Sequence, residues 1–344
     1  MTQMNADLET GDHDASGMKG GVPGHWKPIV MLLAVTPFLT ELLSNNVPPS
    51  AFFNPLIFLF LATIGYGFPV LLLREFACSR GIGIAGMLCL GLVYGIVNEG
   101  ILAKTFFLAT NVPIGTFDGY GRSWGIGIPW AITISVWHAF HSLLYPILVT
   151  YYFFPTYRRE RWLTRRGTAW LLAITVILST AIFFTHSKDH PAGRLSHFIF
   201  LASCMGMLMW ISARVATWAR IDGGGSPGLK PALCGAGAPL VLLLVPVILS
   251  GAKIPAVLFE GYFAVAMLLI FWWLAKRPTV PITTCLLFGT GDDIVLGVLS
   301  LLGAVHAGSV EKISADVILL LVFAGFLRNL RRQLGTRPEN QDHL

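Results

Sequence analysis

The chain has 344 residues, of which 54% are hydrophobic and 12% charged, and its mean hydropathy is +0.68. A soluble domain carries about 25% charged residues, so this composition excludes a water-soluble globule and describes an integral membrane protein. The net charge of +6 is not a nucleic-acid footprint, because the basic residues lie in short loops between apolar runs, where they set orientation.

Residues 1–27 are polar, rich in glycine and acidic in their first half (Asp7, Glu9, Asp12, Asp14). They read as a disordered cytoplasmic tail and not as a cleavable signal. Span one, 28–43, contains Pro37 and Glu41 and ends in the turn cluster Ser44-Asn-Asn-Val-Pro-Pro49. Span two, 51–73, is a clean apolar run that stops at Arg74-Glu75. Span three, 82–103, carries Gly91, Gly95, Asn98 and Glu99. A loop with Asn111, Pro113, Asp118, Tyr120, Arg122 and Trp124 comes next, readable either as a lid or as an ordinary connection. Span four, 129–154, carries Ser135, His138, His141, Ser142 and Tyr145, and the basic loop 157–166 closes it. Spans five (168–185) and six (195–212) complete a six-span membrane portion, 28–213. The stretch 214–231, with Gly223-Gly-Gly-Ser-Pro227, reads as a cytoplasmic linker; it lacks the Gly-Lys-Ser/Thr ending of a phosphate loop. A four-span portion, 232–332, comes after it (232–249, 254–274, 280–305 and 315–330), and 333–344 form a cytoplasmic tail.

The fold class expected is therefore all-α, a polytopic transmembrane bundle of about ten spans with both termini cytoplasmic. On that alternation 18 of the 24 lysines and arginines fall on the inner side, as the positive-inside rule requires. The five cysteines form no C-x-x-C pair, which argues against a disulfide framework or a zinc knuckle.

Function is sought in the hairpin of spans three and four. On a helix Gly91, Gly95 and Glu99 share a face with Asn98 beside them, while Ser135, His138, Ser142 and Tyr145 form a second polar stripe flanked by His141. Two such stripes turn toward each other because lipid penalises them. Glu99 reads as a metal ligand, a general base or a proton or cation site, or else as an ion-pair partner of Lys104 or Arg122. His138 and His141 lie three apart but lack an obvious third ligand, so the metal signal is weak. Glu41 lies at a depth similar to Glu99, and Glu41, Glu99 and His138 can converge if spans one, three and four pack together. Asp292 and Asp293, inside span nine, imply a broken helix or a wet cavity. The candidate binding residues are thus Glu41, Asn98, Glu99, Arg122, His138, His141, Tyr145, Asp292 and Asp293, with no metal and no cofactor assigned.

Residues 37–167 resemble an uncharacterised family of bacterial multi-span membrane proteins, through Glu41-Leu-Leu, Leu73-Arg-Glu75, Tyr94-Gly-Ile-Val-Asn-Glu-Gly100, Tyr120-Gly-Arg122 and the His138 helix. That resemblance implies a bacterial inner membrane and no particular activity. The hairpin also resembles, more distantly, the intramembrane metalloproteases of the CAAX-protease and bacteriocin-processing type. Asn98-Glu99 stands for their Glu-Glu pair, with Ala103 at the arginine position, and Trp137 to His141 stands for Phe-x-x-x-His. Their last motif, His-x-x-x-Asn, has only His197 with Leu201 and His306 with Val310 to set against it. The reading is a permease-like protein with a polar intramembrane site around Glu99 and His138 that takes a small molecule or ion within the lipid bilayer. Its alternatives are an intramembrane metalloprotease and a non-catalytic accessory protein.

Overall fold

The computed structural model describes residues 25–44, 47–109, 117–186, 193–222 and 228–335. Most of the N-terminal tail, the linker glycines, the C-terminal tail from residue 336, Asn111 and Pro113 lie outside the described residues. The chain is a helical bundle with two very short strand pairs. We number its long helical segments α1 (26–42), α2 (Pro55–Arg80), α3 (Ile84–Leu102), α4 (Ile128–Phe153), α5 (Arg165–His186), α6 (Leu195–Arg214), α7 (230–251), α8 (Ala256–Ala275), α9 (Ile282–His306) and α10 (Val310–Gly335).

Seven of these, α2 to α6 with α8 and α9, are long and apolar enough to cross a membrane. The first expected span is the shorter α1, and the seventh is α7, in which a π-helical turn, Leu240–Leu244, interrupts the α-helix. The tenth is α10, whose last turn is basic.

Burial separates the helices. α4 is the most enclosed and α5 the least. The outward faces of α5, α6 and α8 carry Trp170, Ile177, Trp210, Leu268 and Trp272, apolar faces suited to lipid. Around α4 stand α1, α3, α8 and α9; α9 also packs against α7 and α10. The two membrane portions therefore share one interior.

Glycines set the closest crossings. A Cβ on Gly91 would lie 2.4 Å from Ala139 Cα, and one on Gly95 2.7 Å from Ser135 Cα, so α3 and α4 touch backbone to backbone as small-xxx-small faces do. Gly291 of α9 likewise meets the Ala232 backbone, while Gly289 makes room for the Tyr145 ring. α9 runs unbroken through Asp292 and Asp293. The break expected there is absent, and the cavity beside Asp292 is lined mainly by apolar side chains.

Hydrogen bonds gather the loops at two ends. At one end the parallel pair Arg220–Asp222 with Thr279–Pro281 ties the end of α6 to the α8–α9 connection, and Gly83 N donates to Ala216 O. Arg74 is fully buried at this end, 2.6 Å from Glu75. It stacks 3.7 Å over the Trp162 ring and donates to the Tyr157 carbonyl, while Glu75 accepts from Trp162 N at 2.9 Å. At the other end Tyr120 donates to Ile254 O at 2.8 Å, and Ser50 N donates to Glu311.

Candidate functional site

Three of the bundle's π-helical turns carry the polar atoms at its centre. Phe38–Leu42 holds Thr40 and Glu41, Ile96–Leu102 holds Asn98 and Glu99, and His138–Leu144 holds His138, His141 and Ser142. A π turn fits an extra residue into the coil and rotates the helix beyond it, which is why such turns concentrate at functional sites. Here the rotation divides the polar stripe of α4. Ser135 packs against Gly95, His138 and Ser142 turn toward α3 and α1, and His141 and Tyr145 turn toward α9.

The first cluster is a chain of hydrogen bonds across α3, α4 and α1. Trp130 Nε1 donates to Thr105 Oγ1 at 3.0 Å, and Thr105 donates to Glu99 Oε2 at 2.5 Å. Glu99 Oε1 lies 3.0 Å from His138 Nε2, and His138 Nδ1 lies 2.7 Å from Ser142 Oγ. Thr40 shares its hydroxyl proton between the Thr36 carbonyl at 2.8 Å and Ser142 Oγ at 3.1 Å. Asn98 Nδ2 stands 3.4 Å from His138 Nε2.

With Glu99 ionised and His138 neutral, the geometry fixes the tautomer: Nε2–H donates to Glu99, and Nδ1 accepts from Ser142. One added proton would make the ring donate at both nitrogens and turn the Ser142 hydroxyl into an acceptor. Around this chain Tyr66 stacks on His138 with ring centroids 6.0 Å apart, and its hydroxyl donates to Glu41. Tyr94 meets the same imidazole edge-on at 5.5 Å. Tyr66 thus links Glu41 to the ring of His138, which in turn meets Glu99.

The second cluster lies between α4 and α9. His141 Nε2 is 2.8 Å from Asp292 Oδ2 and 3.6 Å from Asp293 Oδ1. Trp137 stacks on His141 at 3.9 Å, and Tyr145 bonds Thr290 at 2.9 Å. Asp293 is fully buried, and among the described residues neither of its oxygens meets a donor in hydrogen-bond geometry. His141 and Asp292 lie on the wall of a mainly apolar cavity of about 590 Å³ between α3, α4, α7, α8 and α9, which Thr133, Thr284 and Lys230 also line.

The two histidines therefore serve different clusters instead of sharing one centre. Arg122 lies in neither: its guanidinium donates to the carbonyls of Phe107, Leu108 and Gly125 and fastens the loop to the end of α3. Lys104, in the connection after α3, donates to the Phe183 carbonyl at 3.0 Å over that residue's ring, and burial pushes its ammonium pKa down. Sequence reasoning passed over Thr40, Tyr66, Thr105, Trp130 and Thr290. Hydroxyls in apolar helices ordinarily bond their own chain, as Thr150 does to Pro146 O, so only the fold distinguishes those that reach across.

A family model described as an uncharacterized membrane protein family matches residues 29–332. The chain belongs to that family. No curated protein and no solved structure matches it. Both polar clusters fall inside the span that this membrane family covers, from Thr40 on α1 to Asp293 on α9.

Proposed function

We propose that this chain is a permease-like membrane protein whose intramembrane site is the hydrogen-bonded line Glu99–His138–Ser142–Thr40, with Glu41 and Tyr66 as its second wall, and that the site handles a proton together with a small polar or cationic ligand. The observation that carries the reading is the continuity of that line, carboxylate to imidazole to hydroxyl, across three helices of an apolar bundle. Ionisable residues within a membrane are costly and mark proton and ion pathways. Glu99, with its side chain 13% exposed against 2% for His138, is the more accessible of the two and serves as the entrance.

About ten spans with both termini cytoplasmic are the topology that the distribution of lysines and arginines favours under the positive-inside rule. The end that gathers Arg74, Arg80, Arg158, Arg220 and Arg277 is the cytoplasmic one, and a bacterial inner membrane is the matching location. Six spans precede the 214–231 linker and four come after it. Reporter fusions after Arg166 and Lys230 should then read cytoplasm and a fusion near Asp118 the outside. An external signal at Arg166 would sink the topology.

Proton flux tests the function. In proteoliposomes with an internal pH dye and an imposed potential, the wild type should acidify or alkalinise the lumen, and Glu99→Gln and His138→Ala should abolish the response at equal reconstituted amounts. Equal fluxes in all three proteins would remove the site from the pathway. A carboxylate and an imidazole 3.0 Å apart also suit general-base hydrolysis inside the membrane. That second reading predicts cleavage of a membrane-embedded peptide or ester in place of flux.

A further inference from the structure

The buried Glu75 and Glu41 and the partly buried Glu99 each have their negative charge answered by a donor. Glu75 has Arg74 and a backbone N–H, Glu99 has Thr105 and His138, and Glu41 has the Tyr66 hydroxyl. Asp292 has His141 at 2.8 Å, but Asp293 beside it is different. The two are adjacent in the middle of an apolar helix, 5% and 0% exposed, and the nitrogen base facing them is His141. Asp293 faces the imidazole across 3.6 Å and the Tyr145 hydroxyl beside it, with no hydrogen bond of good geometry to either oxygen. Two desolvated carboxylates are costly to hold as anions, and one imidazole can neutralise only half of their charge.

The three side chains present the donor set of a metal centre. One nitrogen of His141 and one oxygen from each aspartate lie within 4.8 Å of one another. Ligand atoms around a tetrahedral ion with bonds of about 2.0–2.1 Å stand about 3.3 Å apart. The 2.8 and 3.6 Å separations from His141 Nε2 bracket that value. An imidazole with two carboxylates favours a transition-metal ion over calcium or magnesium, which prefer oxygen alone. A dication also cancels both carboxylate charges. Trp137, stacked at 3.9 Å, and Phe140, edge-on at 5.0 Å, hold the ring in place.

We propose that His141, Asp292 and Asp293 bind one divalent transition-metal ion of the zinc or manganese class, with its open coordination position facing the 590 Å³ cavity that His141 and Asp292 line. Three protein ligands and one open position are the arrangement that leaves a metal free to take water or the polar head of a ligand. The mainly apolar remainder of the cavity wall would seat a hydrocarbon body behind that head. This site is separate from the Glu99–His138 line and stands or falls without it.

The test uses the full chain purified in detergent, stripped with EDTA, then equilibrated with Zn²⁺ or Mn²⁺ and desalted. Elemental analysis should find about one ion per chain, with a raised thermal midpoint. Asp293→Asn and His141→Ala should each weaken the affinity at least tenfold, while His306→Gln, at an exposed histidine, should leave it unchanged. Co²⁺ loaded into the wild type should give visible d–d bands of a nitrogen–oxygen site, a readout that needs no variant to fold. Substoichiometric metal in the wild type would overturn the proposal. So would full retention of the ion by folded Asp293→Asn.

Discussion

His138 and His141 stand three residues apart on one π-helical turn, yet they enter opposite kinds of environment. On the α3 side the imidazole has a carboxylate at one nitrogen and a hydroxyl at the other, and the carboxylate has a second donor in Thr105. On the α9 side the imidazole faces two carboxylates, and its Nδ1 finds no partner among the described residues. The first cluster is closed in hydrogen bonds and needs only a proton to change state. The second sets one imidazole against two carboxylates, the imbalance that the proposed cation would offset. Low dielectric makes a satisfied network rigid and an unsatisfied one costly, so neighbouring side chains of one helix can differ in what they bind.

The largest effect should come from breaking the first cluster at its packing. Gly91→Leu would drive a branched side chain into Ala139, where even a Cβ would lie 2.4 Å from the Cα. Inserting single methylenes into packed interiors costs about 1–3 kcal/mol, and this change inserts several against backbone. Size-exclusion chromatography in detergent should find little monodisperse protein. Normal yield with a wild-type melting curve would mean that α3 and α4 do not meet closely at that point.

The next effects sharpen the contrast in sign. In metal-stripped protein His141→Ala should lower stability by about 3–5 kcal/mol, the loss expected when a buried charge loses its partner. Asp293→Asn should instead raise it, because it removes one of two mutually repelling carboxylates while keeping the shape. Denaturation in detergent with EDTA present reads both. A destabilised Asp293→Asn would show that the carboxylate already has a good partner, and the distinction between the clusters would disappear.

Much of the first cluster is legible in the sequence, because the Gly91–Gly95–Glu99 spacing and the histidines of span four need only helical geometry to suggest a contact. The division of the α4 stripe is not legible. A regular helix of 3.6 residues per turn puts His138, Ser142 and Tyr145 on one face, and the π turn His138–Leu144 sends Tyr145 elsewhere. The surroundings of Asp292-Asp293 are hidden for a related reason: Gly289 and Gly291 meet Tyr145 and Ala232, which are remote in sequence. Charge and apolar length suggested the sidedness of the loops, because they act over whole segments and tolerate errors of a few residues.

The smallest effects separate glue from function within the first cluster. Glu99→Gln keeps the shape and loses the charge, and Tyr66→Phe loses only the hydroxyl that reaches Glu41. Interhelical hydrogen bonds in membranes average about 0.6 kcal/mol and reach about 1.7, so both variants should fold and melt close to the wild type. Their stabilities should therefore be alike, whereas their proton fluxes should not. Glu99→Gln removes the atom that exchanges a proton with His138, so flux should vanish. Tyr66→Phe leaves the Glu99–His138–Ser142 line intact and should retain most of it. Parallel losses of flux in both variants would shift the proton-handling carboxylate from Glu99 to Glu41. Parallel retention would leave the line a structural fastener between α1, α3 and α4, worth what its hydrogen bonds contribute to stability.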